Sequence, residues 1–174
     1  MLQLDCLRLS FVAAYNNGPE GLRLSCLSLQ WAVIPRYLGE SAAMDDAVNC
    51  IIWTYQSFVR DMSEKHAKGP NPHFKSYHKA LMSLQKALND PEKGKQSTTL
   101  CAIAMLTSSE ILGRTGTNSN YVMHAGGVAA FLKSAGAACA QDALGKTLFT
   151  TSVGPVVGRK IFMSQSTRGA NISQ

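Results

Sequence analysis

The sequence of 174 residues is short of charge, and its cysteines are widely scattered. Asp, Glu, Lys and Arg make up 16% of it, below the roughly 25% of an average soluble domain. That shortage excludes a disordered charged tail and a supercharged nucleic-acid sleeve. Cys6, Cys26, Cys50, Cys101 and Cys139 contain no C-x-x-C pair, the close spacing that zinc ribbons, fingers and redox loops need. The number is odd, and Cys50 and Cys101 lie among apolar neighbours, the pattern of reduced, buried thiols in an intracellular protein. No apolar run approaches the roughly 18 residues of a membrane span. Asp5 also stands where a secretory leader wants positive charge. The expectation is a soluble, nuclear or cytosolic chain with no membrane partner.

What is present is an apolar content of 45%, enough for one packed domain and too short a chain for two ordinary ones. The 17 Lys and Arg against 11 Asp and Glu permit weak attraction to acidic surfaces without specifying a site. Residues 1–36 give no clear period: Leu22, Leu24, Cys26, Leu29 and Trp31 alternate, and Pro35 ends the stretch, which fits a strand or a buried helix equally. From Ser41, Met44, Val48, Ile51, Ile52, Tyr55, Val59 and Met62 recur at three- and four-residue steps, a helix of about twenty residues. Gly69, Pro70 and Pro72 break it.

Phe74, Tyr77, Leu81, Leu84 and Leu88 then predict a second helix with one apolar seam, stopped by Asn89-Asp90-Pro91. Lys75, Lys79 and Lys86 fall within about 40° of one another on its other side, as expected of a solvated face. A third helix is expected over 98–112, capped by Ser97 or Thr98, with Leu100, Ile103, Leu106 and Ile111 as its apolar set. After a polar turn, Tyr121, Val122, Ala125, Val128, Ala129 and Leu132 describe a fourth, ending near Gly136. Its Gly126 and Gly127 predict close passage of a neighbouring helix. A fifth segment runs from Asp142 to Phe149, with 156–163 as a continuation after Gly154-Pro155 and a polar tail from 164. Helix following helix predicts an all-α fold of stacked antiparallel helices in a single domain.

Catalytic patterns are few. Residues 140–147 match a relaxed phosphate loop ending Gly145-Lys146-Thr147, but no strand precedes them and helix formers fill the loop, so an ordinary helix start at Asp142 is expected. Of the histidines, His66, His73, His78 and His124, the middle two are five apart and diverge around a helix, unlike a zinc protease pair. Cys101 lies in surroundings that raise a thiol's pKa. Glu110, Tyr121 and His124 are the candidates for a polar cluster inside the bundle, with core packing as their expected role. No catalytic, cofactor-binding or metal-binding residues are therefore assigned, no cofactor is expected, and the chain is read as not an enzyme.

Three ordered blocks resemble the C-terminal regulatory region of fungal zinc-cluster transcription factors. The first runs from Ile34-Pro35-Arg36-Tyr37-Leu38-Gly39 to Met44-Asp45-Asp46-Ala47-Val48, similar to the family's proline, leucine-glycine and leucine-aspartate-x-alanine pattern. The second spans Tyr77 to Leu88, then Thr99 to Ile103 and Glu110 to Leu112. The third is His124-Ala125-Gly126-Gly127, Phe131-Leu132 and Gly136, followed by Ala143 to Phe149. The resemblance implies a non-catalytic helical regulatory module over 37–163, in the nucleus, acting through the transcription machinery or another regulator. It departs from the family in having no six-cysteine cluster, so specific DNA binding by this chain alone is not expected, as in a shortened product or a stand-alone relative. The alternatives are a helical adaptor with no nuclear role and an accessory enzyme of a fungal biosynthetic pathway.

Overall fold

Met44, Val48, Ile51, Ile52 and Tyr55 share one face of a helix by their spacing, and all five are buried on α2, Ala42–Ser63. The structure, a computed structural model, describes residues 2–18, 23–63, 73–113 and 118–150, without the side chains of 2, 26, 29, 63, 73 and 118–125. The other helices are α1 (Leu2–Asn16), α3 (His73–Leu88), α4 (Ser97–Gly113), α5 (Asn118–Ala135) and α6 (143–150). Strands are absent among the described residues. The fold is all-α.

α4 is the innermost element. Ser97 to Ile103, Met105, Leu106 and Ser109 are all buried, so it presents apolar or small side chains on nearly every side, as a core helix must. It packs against α2, α3 and α5, and α2 in turn packs against α3 and α1. Asp46 of α2 meets Ser83 of α3, while Cys50, one turn further along α2, meets Ser76. Rising numbers on one helix against falling numbers on the other make α2 and α3 antiparallel.

The segment 1–36, where the sequence shows no period, contains a full helix. α1 buries Phe11, Ala14 and Tyr15 and leaves Leu9 and Val12 outside; with leucines on both sides, no single apolar stripe marks it. From residue 23 on, the stretch equally consistent with strand or helix forms 3-10 turns at Leu24–Cys26 and Leu29–Arg36, the second running through Pro35. Arg8 joins α1 to the end of the second turn, its guanidinium donating to Leu38 O (2.7 Å) and Pro35 O (3.3 Å).

Several expectations are corrected. Met62 is exposed and Val59 only partly buried, because the last turns of α2 run past the core. On α3 the buried positions are Ser76, Ala80, Leu84 and Ala87, while Phe74, Leu81 and Leu88 of the expected seam face outward. Ile111 is likewise outside. Neither Ser97 nor Thr98 stands ahead of α4 as its cap: Ser97 is its first residue, and the Ser97 hydroxyl donates to Asp142 Oδ2 (2.5 Å). A side chain added at Gly127 would meet nothing within 4 Å, so among the described residues no neighbouring helix passes close at that position. The continuation 156–163 and the tail from 164 lie outside the described residues.

The close approach occurs at Gly145 instead. Asp142 caps α6, its Oδ1 accepting from the Gly145 N–H (2.6 Å) and its carbonyl from the Lys146 N–H (3.0 Å). That folds α6 back onto the 3-10 turn Gly136–Ala140, where a Cβ on Gly145 would come 1.9 Å from Cys139 O. Backbone cannot retreat as a flexible side chain can. Gly145→Ala is expected to lower stability by about 1–3 kcal/mol through overpacking. Gly127→Ala should raise it by about 0.5–1 kcal/mol through helix propensity. Urea denaturation of the two variants beside the parent checks both signs.

Candidate functional site

Two polar groupings join the helices, and the first lies inside the bundle. α2 supplies Cys50 and Thr54, one turn apart on its buried face, and the Thr54 hydroxyl donates back to Cys50 O (2.9 Å). α4 supplies Ser109, which donates to Met105 O (2.8 Å), and Glu110. α3 supplies Ser76 and Tyr77. The Cys50 thiol is buried, and the hydroxyls of Ser109, Thr54 and Ser76 stand around it. The Tyr77 hydroxyl donates to Glu110 Oε1.

Burial pushes the Cys50 thiol above its usual range and outweighs the lowering effect of the hydroxyls beside it, leaving it a neutral thiol and a poor nucleophile. Tyr77 is also raised, first by burial and then by the Glu110 carboxylate beside it. A phenol held so firmly protonated serves as a donor and not as a base. The three helices are thus joined by the buried hydroxyls around Cys50 and by the part-buried Tyr77–Glu110 bond, contacts that fix helix register.

The second grouping opens to solvent. α1 and α2 diverge around a cleft of about 640 Å³, lined among others by Cys6, Ser10, Asp45, Asp46, Asn49 and Trp53, with Lys79 of α3 at its edge. Asp46 is committed to α3: its Oδ1 pairs with Lys79 Nζ (2.8 Å) and its Oδ2 accepts from Ser83 Oγ (2.5 Å). Asp45 Oδ1 accepts from the Gly39 N–H (2.9 Å). Gly39 has φ of 100°, a conformation open to glycine, and this turn aims its N–H at the start of α2. Burial raises the Asp45 carboxyl and the Asp46 charge adds to that, against the lowering effects of the Gly39 bond and Arg8.

Of the residues singled out from the sequence, Glu110 stands in the buried cluster, partnered by Tyr77. Tyr121 and His124 belong to α5, but their side chains lie outside the described residues, as does all of His66. Cys101 is fully buried and its pKa is driven up by desolvation alone. Lys146 is exposed on α6, and the Gly145 N–H that a phosphate loop would offer is taken by Asp142. Lys79 belongs to an ion pair and not only to a solvated face. Among the described residues no group of three or more His, Cys, Asp or Glu is placed to hold a metal ion.

The chain matches no protein-family model, no curated protein and no solved structure.

The cluster around Cys50 was missed in the sequence, although Cys50 and Thr54 lie four apart on the apolar face of α2. A polar pair on a buried stripe signals an internal hydrogen-bond network. Asp45 and Asp46 read as helix-start acids, a role they combine with bonds across the fold.

Two outcomes follow. Tyr77→Phe removes the donor to a half-buried carboxylate and should cost about 1–3 kcal/mol, nearer the lower figure because the pair is partly solvated. Because folding raises the Tyr77 pKa, its contribution is whole below the ordinary tyrosine range of about 10 and is lost as pH rises beyond it. Melting temperatures of parent and variant should therefore converge in alkali. Asp45 is also raised, so ionising it costs stability as pH climbs through the carboxylate range. Asp45→Asn retains an acceptor for Gly39 and should raise the melting temperature at pH 7, with the gain disappearing below about pH 4. A variant less stable at both pH values would contradict this.

Proposed function

We propose that the chain is a non-catalytic helical regulatory module of a transcription regulator, acting through protein partners in the nucleus. The observation that carries the reading is the physical linkage inside the first block that resembles fungal zinc-cluster regulators. Leu38 is buried beside the turn, Gly39 takes up a positive φ, and its N–H is captured by Asp45, while Met44, Ala47 and Val48 enter the core. Leucine-glycine followed by an apolar-aspartate-x-alanine run is thus one coupled device for starting a long helix. In this chain the pattern has a structural cause beyond the frequency of leucine and alanine.

Two further features support the reading. The interior polar groups are engaged in joining helices, and large apolar side chains on α3 are turned outward, as an interaction module requires. A helical adaptor outside the nucleus would share that surface. The discriminating experiment fuses the full chain to an unrelated DNA-binding module in a fungal reporter strain. A several-fold change in reporter output is expected, together with no sequence-selective duplex binding by the unfused chain at physiological salt. A well-expressed but silent fusion, or a nanomolar sequence-selective complex of the chain alone, defeats the proposal.

A further inference from the structure

The two tryptophans have opposite surroundings. Trp31 is buried, whereas Trp53 of α2 is 42% exposed and lines the cleft between α1 and α2. At about 640 Å³ the cleft falls within the roughly 300–1,000 Å³ of small-molecule sites, which pair an apolar or aromatic wall with a few polar groups. Leu7 and Ser10 supply the α1 wall, and Asn49 and Trp53 the α2 wall. The two helices run in the same sense: a Cβ added to Gly39, in the turn before α2, would meet Leu4, and one added to Gly18, just past α1, would meet the Tyr55 hydroxyl. The cleft therefore has an acidic end at Asp45 and an aromatic end at Trp53, eight residues or about 12 Å further along α2.

Much of the polar lining is unengaged. Ser10 and Asn49 are partly buried, and their side chains make no hydrogen bond among the described residues. The charges are paired unequally. Lys79 is held by Asp46 (2.8 Å), and the Arg8 guanidinium by Asp5 and the carbonyls of Pro35 and Leu38. Asp45 has the Gly39 N–H on Oδ1 and no ion pair among the described residues. Burial, with the Asp46 charge added to it, holds the Asp45 carboxyl above its ordinary range. A carboxylate desolvated without a counter-ion gains from a cation and repels an anion. A bare metal ion finds too few ligands, since among the described residues no group of three or more His, Cys, Asp or Glu is placed to hold one. The cation that fits is organic, with a body to cover the aromatic end.

We propose that the cleft binds a small organic amine, its ammonium group on Asp45 and its apolar or aromatic body against Leu7 and Trp53. Ser10 and Asn49 offer it further hydrogen bonds. The proposal goes beyond the regulatory reading and stands or falls independently of any role in the nucleus.

The probes are phenylbutylamine and two molecules of nearly the same shape, neutral phenylbutanol and anionic phenylbutyrate. Titrated into the full chain and followed by tryptophan fluorescence and calorimetry, the amine should bind saturably and at least about tenfold tighter than the alcohol. Phenylbutyrate should not bind. Asp45→Asn keeps an acceptor for Gly39 and should weaken the amine by about tenfold while leaving the alcohol unchanged. Trp53→Ala, at an exposed site, should weaken amine and alcohol alike. The comparison of amine with alcohol on the parent chain needs no variant, so a misfolded substitution cannot decide the outcome. Acrylamide quenching of the parent, measured against Trp53→Phe, should show Trp53 accessible in the free chain and protected by the amine. No saturable binding of the amine up to millimolar concentration, equal affinity for amine and alcohol, or an Asp45→Asn chain that binds the amine as tightly as the parent overturns the proposal. So does a Trp53 that acrylamide cannot reach in the free chain, which would mean that another part of the chain fills the cleft.

Discussion

Burying α4 on nearly every side is the constraint on which the arrangement of the other helices depends. A helix with Leu100, Cys101, Ala102, Met105 and Leu106 all inaccessible needs neighbours around most of its circumference, and α2, α3 and α5 supply them. Three of its buried hydroxyls find acceptors, while Thr98 Oγ1 has no partner among the described residues. The Thr99 hydroxyl donates to Lys93 O (2.7 Å) and the Ser109 hydroxyl to Met105 O (2.8 Å), and Ser97 reaches the Asp142 carboxylate. Asp142 accepts at the same time from the Gly145 N–H. One carboxylate therefore fixes the start of α6 against the start of α4, and the glycine three residues on lets the backbones touch.

The same economy governs the other face of the core. Asp45 in the first turn of α2 and Asp46 directly after it stand at the end of the helix where its dipole favours negative charge. Each also points at a different element: Asp45 at Gly39 and the turn that precedes the helix, Asp46 at Lys79 and Ser83 of α3. Asp46 keeps a compensating cation, while Asp45 has only a backbone N–H and a more distant arginine against its desolvation. Both carboxylates line the cleft between α1 and α2.

How much of this was legible depended on whether a residue's role is local. α2 and α6 could be read from spacing and from acids at their starts, and Asn89-Asp90-Pro91 marks the end of α3 because those residues act on their own backbone; Asp90 Oδ1 accepts from the N–H groups of Glu92 (3.0 Å) and Lys93 (3.1 Å). α1 was illegible because leucines on both of its sides cancel the stripe that periodicity detects. The close approach expected at Gly126-Gly127, absent at Gly127 among the described residues and present at Gly145, shows the same limit. A glycine is permissive in itself, and only the neighbour that comes near decides whether the space is used. The Tyr77–Glu110 tie joins residues 33 apart in sequence, and no local pattern encodes which turn of α4 faces which turn of α3.

α3 shows why hydrophobic period and burial can part company. Phe74, Tyr77, Leu81, Leu84 and Leu88 are its large apolar residues, yet the side turned to α2 and α4 is lined by Ser76, Ala80 and Ala87 as well as Leu84. Small side chains let helix axes approach, and here they also leave room for the thiol of Cys50 and its serine partners, a network that larger residues would displace. With the internal contact made by small residues, the helix has no place inside for Phe74, Leu81 and Leu88. Keeping them apolar on the outside has a solubility cost for an isolated domain. Covering that surface with a partner removes the cost. The sequence pattern that misplaces the core is thus the one that leaves an apolar file on the outside of α3.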